Sequence, residues 1–581
     1  MQPAKYILVF CVPLLLWVNI LTAQGIRIPA GAYVIANQGN IVTRNNWIND
    51  GSFTHNDGAV VFAGNTQQIG GSKGTSFNKL TISTGSNTTI VSAGHSLKQI
   101  LKSNGTLNAN FNFTLLANAT QTALIDGSGT GEVLGNLTMQ GYLANGFGYK
   151  YLSSPFQFAT VNEMSPEVNL TASFPSVYKF DENQVSNGWI SFTASTNILA
   201  QMSGYIFQMG NALGSKNIDM TGVVNNGNRT ISLTNNNRIF TKGFNLVGNP
   251  YPSPVDWDAV TGWTRTRVDN AIYYFDTDTT DQYGGIYHSY INKISSDGKA
   301  NNIIPAMQAF FVHVTDGTYP VAGTLGIGNA TRVTIPVQAY RRLNGVNDPI
   351  PLLRLRVSLK GSAISDATVI YFQSTATRKF DGQLDALKLM NTVASVPSIY
   401  TLTNSFEKLS IYALPVPDSS TRIPLGLQTL QGGKVSLFAS DNTAIPATLN
   451  CYLYDAVTNT YHDLKDNSHV YEYDLPAGIY EDRFFVVFNR RPILQLLPIP
   501  DITGGNFNIY GTGRNKQLVI NIAQGEKAVI KITNSAGQLV FTKTYLQSGS
   551  YPLLLLLPTG IYHVSCYTGN TIITKQIFSG E

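Results

Sequence analysis

Apolar residues in this chain recur at every second position, in short runs, almost from end to end. Leu107-Asn108-Ala109-Asn110-Phe111-Asn112-Phe113-Thr114-Leu115 is one such run and Leu352-Leu353-Arg354-Leu355-Arg356-Val357-Ser358-Leu359 another. Alternation buries one face of a strand. Gly, Asn or Ser bounds most runs, as turns between strands require. No segment sustains a 3.6-residue period, so the pattern predicts an all-β protein with little helix.

The runs group into segments of different character. Over 24–140 they repeat loosely every 20 to 25 residues, as in Gly58-Ala59-Val60-Val61-Phe62-Ala63-Gly64-Asn65 and Phe77-Asn78-Lys79-Leu80-Thr81-Ile82-Ser83. A rung that cannot bury its apolar face alone stacks on its neighbours. This segment therefore reads as a small right-handed parallel β-helix, with an antiparallel sandwich as the competing arrangement. Residues 141–335 are richer in aromatics and prolines, notably Tyr149 and Tyr151 before Pro155, and Gly248-Asn249-Pro250-Tyr251-Pro252-Ser253-Pro254-Val255-Asp256-Trp257. Proline-rich runs make corners or sheet edges rather than central strands. Residues 336–490 read as a β-sandwich and 491–505, with three prolines, as a linker. Residues 506–581 form a last, Ig-like β-sandwich in which Leu553 to Leu557 belongs to a buried strand.

Composition sharpens this picture. The 581 residues are 43% hydrophobic, enough for several cores, and only 13% charged. A net charge of +5, scattered along the chain, leaves no basic stripe for nucleic acid. At the start, Lys5 precedes an apolar core, Tyr6 to Ile20, and Leu21-Thr22-Ala23 offers a small-residue cleavage site before Gln24. Residues 1–23 thus read as a signal peptide, and no later stretch has the ~20 apolar residues of a spanning helix. Cys451 and Cys566 remain after it, in different segments, and are expected as buried free thiols.

The C-terminal segment carries two short motifs in order: Asn534-x-x-Gly537-x-x-Val540, then Leu557-x-x-Gly560-Ile561-Tyr562-x-Val564. Lys575 and Ile577 follow in a closing apolar strand. The segment resembles the type A C-terminal sorting domain of the type IX (Por) secretion system of the Bacteroidetes. Where that family opens with Pro-Asn-Pro, this chain has Tyr510-Gly511-Thr512-Gly513-Arg514-Asn515. The proline-rich run around Tyr251 and Phe380-Asp381-Gly382-Gln383-Leu384-Asp385-Ala386 resemble phrases of the same secreted proteins. The resemblance implies export through the periplasm by the type IX machinery. Gly537, Gly560, Ile561, Tyr562 and Lys575 would belong to the signal, and the cargo would be released or attached to surface lipopolysaccharide.

Motifs for chemistry are sparse. Gly70-Gly71-Ser72-Lys73-Gly74 matches G-x-S-x-G but lies inside the repeat, without the strand–turn–helix setting a serine nucleophile needs. It reads as a loop between rungs. None of the seven histidines falls into H-x-x-x-H or H-E-x-x-H spacing. Asp276, Asp278 and Asp281 are the best calcium candidates, since hard cations take several oxygens from one loop. The competing reading is a solvated acidic turn. Asp278-Thr279-Thr280 also has the form of a Bacteroidetes O-glycosylation acceptor. No cofactor is otherwise expected, and no catalytic residue is assigned.

Two readings of function follow. One is an exported structural or adhesive protein whose body makes contacts with a host or neighbouring cell surface. The other is a glycan-binding module in which Tyr251, Trp257 and Trp263, with Tyr149 and Tyr151, stack on sugars. A β-helix lyase or a hydrolase is a third, weaker alternative, because the repeat segment is short.

Overall fold

The computed structural model describes residues 25–335, 350, 352–445 and 449–490, and in the C-terminal portion 507–510, 515–520, 522, 526–555, 557–569 and 571–579. The signal peptide with Ala23 and Gln24, the linker 491–505 and the 511–514 turn lie outside the described residues. The chain divides into two compact units, residues 1–490 and 491–581.

The first unit opens with a parallel β-solenoid. Ile26–Ile28, Trp47–Asn49, Thr66–Gly70, Asn87–Ile90, Thr106–Asn108 and Glu132–Leu134 form one sheet, every pair parallel. Ile41–Thr43, Ala59–Phe62, Ser76–Ile82, His95–Ser103, Phe113–Leu115 and Leu137–Leu143 run parallel in a second. Ile26 lies opposite Trp47 and Thr66 opposite Asn87, one rung on. Alternate side chains point inward: Trp47, Ile69, Ile90 and Leu107 from the first sheet meet Phe62, Leu80, Leu101 and Phe113 from the second.

Polar residues between rungs are tied together. Thr75 Oγ1 accepts hydrogen bonds from Trp47 Nε1 (3.0 Å) and Asn49 Nδ2 (3.2 Å), and its N–H donates to His95 Nδ1 (3.1 Å). The Gly70–Gly74 loop joins two strands rather than a strand and a helix. Gly71 has φ +122, and a Cβ there would lie 2.1 Å from the Asn49 carbonyl oxygen. Glycine is therefore needed for the close approach of rungs, and the loop is not a nucleophile elbow.

The solenoid ends where Lys216–Val224 pairs antiparallel with Leu137–Leu143. Its core continues through Phe156, Phe207 and Met220. A second core joins Tyr151, Phe275 and Phe311 to Val369, Tyr371 and Ile411. Continuous hydrophobic cores cross both 140/141 and 335/336, where the composition of the chain changes. Strands buried on both faces need partners from neighbouring segments, so the three segments pack as one unit. Beyond 350 the described residues form a sheet of eleven strands that encloses a further core of Leu355, Val357, Leu425, Leu437, Leu453 and Phe484. Among the described residues the helical elements are two short 3-10 turns, Val161–Met164 and Asn329–Thr331.

In the second unit the described residues form an antiparallel sandwich of seven strands. Phe507–Tyr510, Asn515–Ile520 and Gly549–Leu554 form one sheet; Leu539–Tyr545, Ala528–Asn534, Gly560–Thr568 and Thr571–Ser579 form the other. Leu518, Ile530, Ile532, Val564 and Cys566 fill its core. Cys451 and Cys566 are both free and buried, and burial pushes the Cys566 thiol up to about 11.

Candidate functional site

In the C-terminal unit both motifs occupy corners of the sandwich. Asn534 Oδ1 accepts hydrogen bonds from the Ala536 and Gln538 N–H groups (3.1 and 2.9 Å), and Gly537 takes φ +79. Asn-x-x-Gly is thus the chemistry of the hairpin joining Ala528–Asn534 to Leu539–Tyr545. Gly560 opens strand Gly560–Thr568; Tyr562 is buried and its hydroxyl donates to the Pro558 carbonyl, four residues upstream, at 2.8 Å. Ile561 points outward, 48% exposed, and Lys575 lies opposite Val564, half-buried.

The same string and the same corner recur in the first unit. Leu475-Pro476-Ala477-Gly478-Ile479-Tyr480 differs from Leu557-Pro558-Thr559-Gly560-Ile561-Tyr562 at one position of six. Tyr480 OH likewise donates to the Pro476 carbonyl at 2.8 Å, and Gly478 likewise opens a strand. A tyrosine hydroxyl bonded back to the chain just upstream is a known device of sandwich corners. This internal copy is legible in the sequence only when the chain is compared with itself. Tyr562 therefore has a structural role of its own. Tyr562→Phe should lower the stability of the C-terminal unit by about 1 kcal/mol, read as faster amide exchange along Gly560–Thr568, with Tyr480→Phe doing the same in the first unit.

The aromatic face expected for sugars is a core. Tyr251 and Trp257 are fully buried. Tyr251 OH donates to the carbonyls of Gly227 (2.6 Å) and Ile327 (3.1 Å), and Trp257 Nε1 to that of Asn270 (2.8 Å). Asn249 shapes the proline-rich corner, donating through Nδ2 to the Ser253 and Pro305 carbonyls and accepting from Tyr251 N–H. Trp263 is half-buried against Trp257 (4.7 Å), with the Arg265 guanidinium 3.8 Å from the Trp257 ring centroid. Burial pulls Arg265 down to about 10. Tyr251 and Trp257 have no open face for a sugar, which corrects their assignment; Trp263 is packed edge-on against Trp257 rather than presented beside it as a platform. Aromatic and proline content alone does not tell a corner from a platform. Tyr151 is buried too, stacked on Phe275 at 4.7 Å and bonded to Tyr287 OH at 2.9 Å. Tyr149 alone of the five reaches a surface aromatic cluster, with Tyr178, Phe174 and Tyr283.

The three aspartates do not converge on one point. Asp276 ends strand Ile272–Thr277 and lies 3.4 Å from His288 Nε2, whose other nitrogen is 3.0 Å from Asp297. Asp278 is buried; its Oδ1 accepts from Thr280 N–H (2.6 Å) and Asp281 N–H (3.1 Å). Asp281 Oδ1 accepts from Tyr283 N–H (2.9 Å). Asp276 is turned to His288 while Asp278 and Asp281 cap the loop through Oδ1, so the three do not gather as a calcium site, which corrects the calcium reading of Asp276, Asp278 and Asp281. Among the described residues no group of three or more His, Cys, Asp or Glu side chains is placed to hold a metal ion. No helix among them is long and apolar enough to cross a membrane.

Comparison with known proteins adds the following. No curated protein matches this chain. Among solved structures, a two-domain fibronectin type III segment of chicken tenascin superimposes with a TM-score of 0.12 at 8% identity, over 28% of this chain and 100% of that one. The BSP domain of a biofilm associated protein gives 0.13 at 10% identity, over 76% of this chain and 92% of that one. Superpositions this loose carry no argument, and the all-β fold rests on the strands themselves. A family model described as a domain of unknown function, DUF8693, matches residues 36–488. Its end falls just before the division between the two compact units. The chain therefore belongs to the DUF8693 family through its first unit, and the C-terminal sandwich is an addition beyond the matched region.

Proposed function

We propose that this chain is an exported protein with a structural or adhesive role, and that its C-terminal unit is the address read by the type IX secretion machinery. The observation that carries the reading is modularity. Residues 491–581 are compact by themselves, lie beyond the family match, and present both motifs, in order, as ordered corners of one sandwich. On this reading residues 1–23 lead the chain into the periplasm and 506–581 lead it out. The body, a solenoid continued by broad antiparallel sheets, then works by contact at the outer surface or after release. Surface lipopolysaccharide is the anchor if the protein stays attached.

The test is protease shaving of intact cells making the full chain, with a periplasmic protein followed alongside. The 1–490 body should be digested, or found in the medium, while the periplasmic protein survives. Protection of both would overturn the reading.

A further inference from the structure

Four aromatic side chains from three segments close a ring at the surface of the first unit. Tyr149 opens strand Tyr149–Leu152, Tyr178 lies on Val177–Phe180, Phe174 just precedes that strand, and Tyr283 sits on the loop between Ile272–Thr277 and Gly285–Ile291. Successive centroids are 6.4 Å (Tyr149–Tyr178), 6.3 Å (Tyr178–Phe174), 5.8 Å (Phe174–Tyr283) and 5.8 Å (Tyr283–Tyr149) apart. The corresponding planes meet at 82°, 53°, 74° and 61°, so neighbouring rings stand as walls rather than lying as one flat platform. Phe174 is 57% and Tyr283 50% exposed.

For a square of such sides the centre falls about 4 Å from each centroid, inside the roughly 6 Å over which a ring attracts a cation. The surroundings add negative charge. Asp281 accepts the Tyr283 N–H at 2.9 Å and so lies beside the ring cluster, whereas Asp276, near the end of the strand leading into the same loop, is paired with His288 at 3.4 Å. Gln208 Nε2 braces that loop through the Gln282 carbonyl (3.2 Å). Lys150, the residue after Tyr149, is engaged elsewhere: it donates to the Phe147 carbonyl at 2.6 Å, and burial pulls it down to about 8. Sugar stacking wants a flat open ring face; steep walls beside a carboxylate suit a compact organic cation.

We propose that Tyr149, Phe174, Tyr178 and Tyr283 form a binding site for a quaternary ammonium group. The inference is independent of the export reading, because it concerns the purified protein. Calorimetric titration of the full-length chain should show binding of tetramethylammonium and of choline. The uncharged isostere 3,3-dimethylbutan-1-ol should bind at least tenfold more weakly. Tyr283→Ala and Phe174→Ala should each weaken choline at least fivefold, whereas Phe158→Ala, an exposed ring elsewhere, should leave it unchanged. Cosedimentation with phosphatidylcholine vesicles, reversed by choline, would assign a lipid headgroup as the source; choline binding without cosedimentation would assign a free compound. Equal affinity for the isostere, no binding of either cation at millimolar concentration, or unchanged binding in both variants would overturn the site. So would a neutral oligosaccharide that binds in place of choline and is lost in Tyr283→Ala.

Discussion

Replacing Lys388 by methionine should destabilise the first unit by about 3–5 kcal/mol. Lys388 Nζ lies 2.5 Å from Asp366 Oδ2, and both side chains are only 2% exposed. The same oxygen accepts the Ile399 N–H at 2.9 Å. Removing the ammonium leaves the buried carboxylate with one backbone donor and the field of Arg356 alone, and stranding a buried charge in this way is what makes such substitutions severe. Asp366→Asn should cost a comparable amount by stranding the ammonium. The double variant Asp366→Asn/Lys388→Met should recover much of the loss, since a pair replaced by neutral groups of similar volume is often tolerated. Urea unfolding of the four proteins of this cycle measures the coupling. Single losses below about 1 kcal/mol, the range of exposed pairs, would contradict the buried-pair account.

Acid should weaken the solenoid by about 3 kcal/mol through one residue, His95. The ring is buried, its Nδ1 accepts the Thr75 N–H at 3.1 Å, and Nε2 lies 3.1 Å from Ser92 Oγ. Protonating Nδ1 would set two donors against each other. Burial pulls the imidazole down to about 4 from the ordinary 6.5. Because the folded value is below the unfolded one, the unfolded chain binds the proton more readily. The stabilisation is complete above pH 6.5 and is lost as pH falls through 4. The urea midpoint measured across this window should fall, and His95→Asn, which can accept the Thr75 N–H but does not titrate, should flatten this step. An unchanged step in that variant would assign the acid sensitivity to other groups.

Much of the fold is legible because β structure writes itself locally. The inward residues of the rungs, Phe62, Leu80 and Phe113 among them, sit in the alternating runs that identify the repeat. The divisions inside the first unit are not legible, because Tyr151 and Phe311 pack with Tyr371 and Ile411 across a boundary that composition suggests. Local pattern says that a face is apolar, not what covers it. The candidate sites follow the same division. Asn534 and Gly537 declare a hairpin through their own backbone preferences, so that motif is readable. Trp257 and Tyr251 have a composition that fits a platform, yet their indole and phenol groups are satisfied by carbonyls distant in sequence. The quartet of Tyr149, Phe174, Tyr178 and Tyr283 is assembled from separate segments and leaves no periodic trace. The pair of corners at Tyr480 and Tyr562 was visible as a repeated string, and the structure supplies its meaning: the string is first a device of the fold.

If the string is a fold device, export has to be tested on the whole C-terminal unit rather than on Tyr562 alone. The decisive measurement is fractionation of cells producing the chain with residues 506–581 deleted, beside cells producing the full chain. The account predicts that the truncated body stays in the periplasm while the full chain reaches the surface or the medium. Delivery of the truncated body outside the cell at the level of the full chain would contradict it.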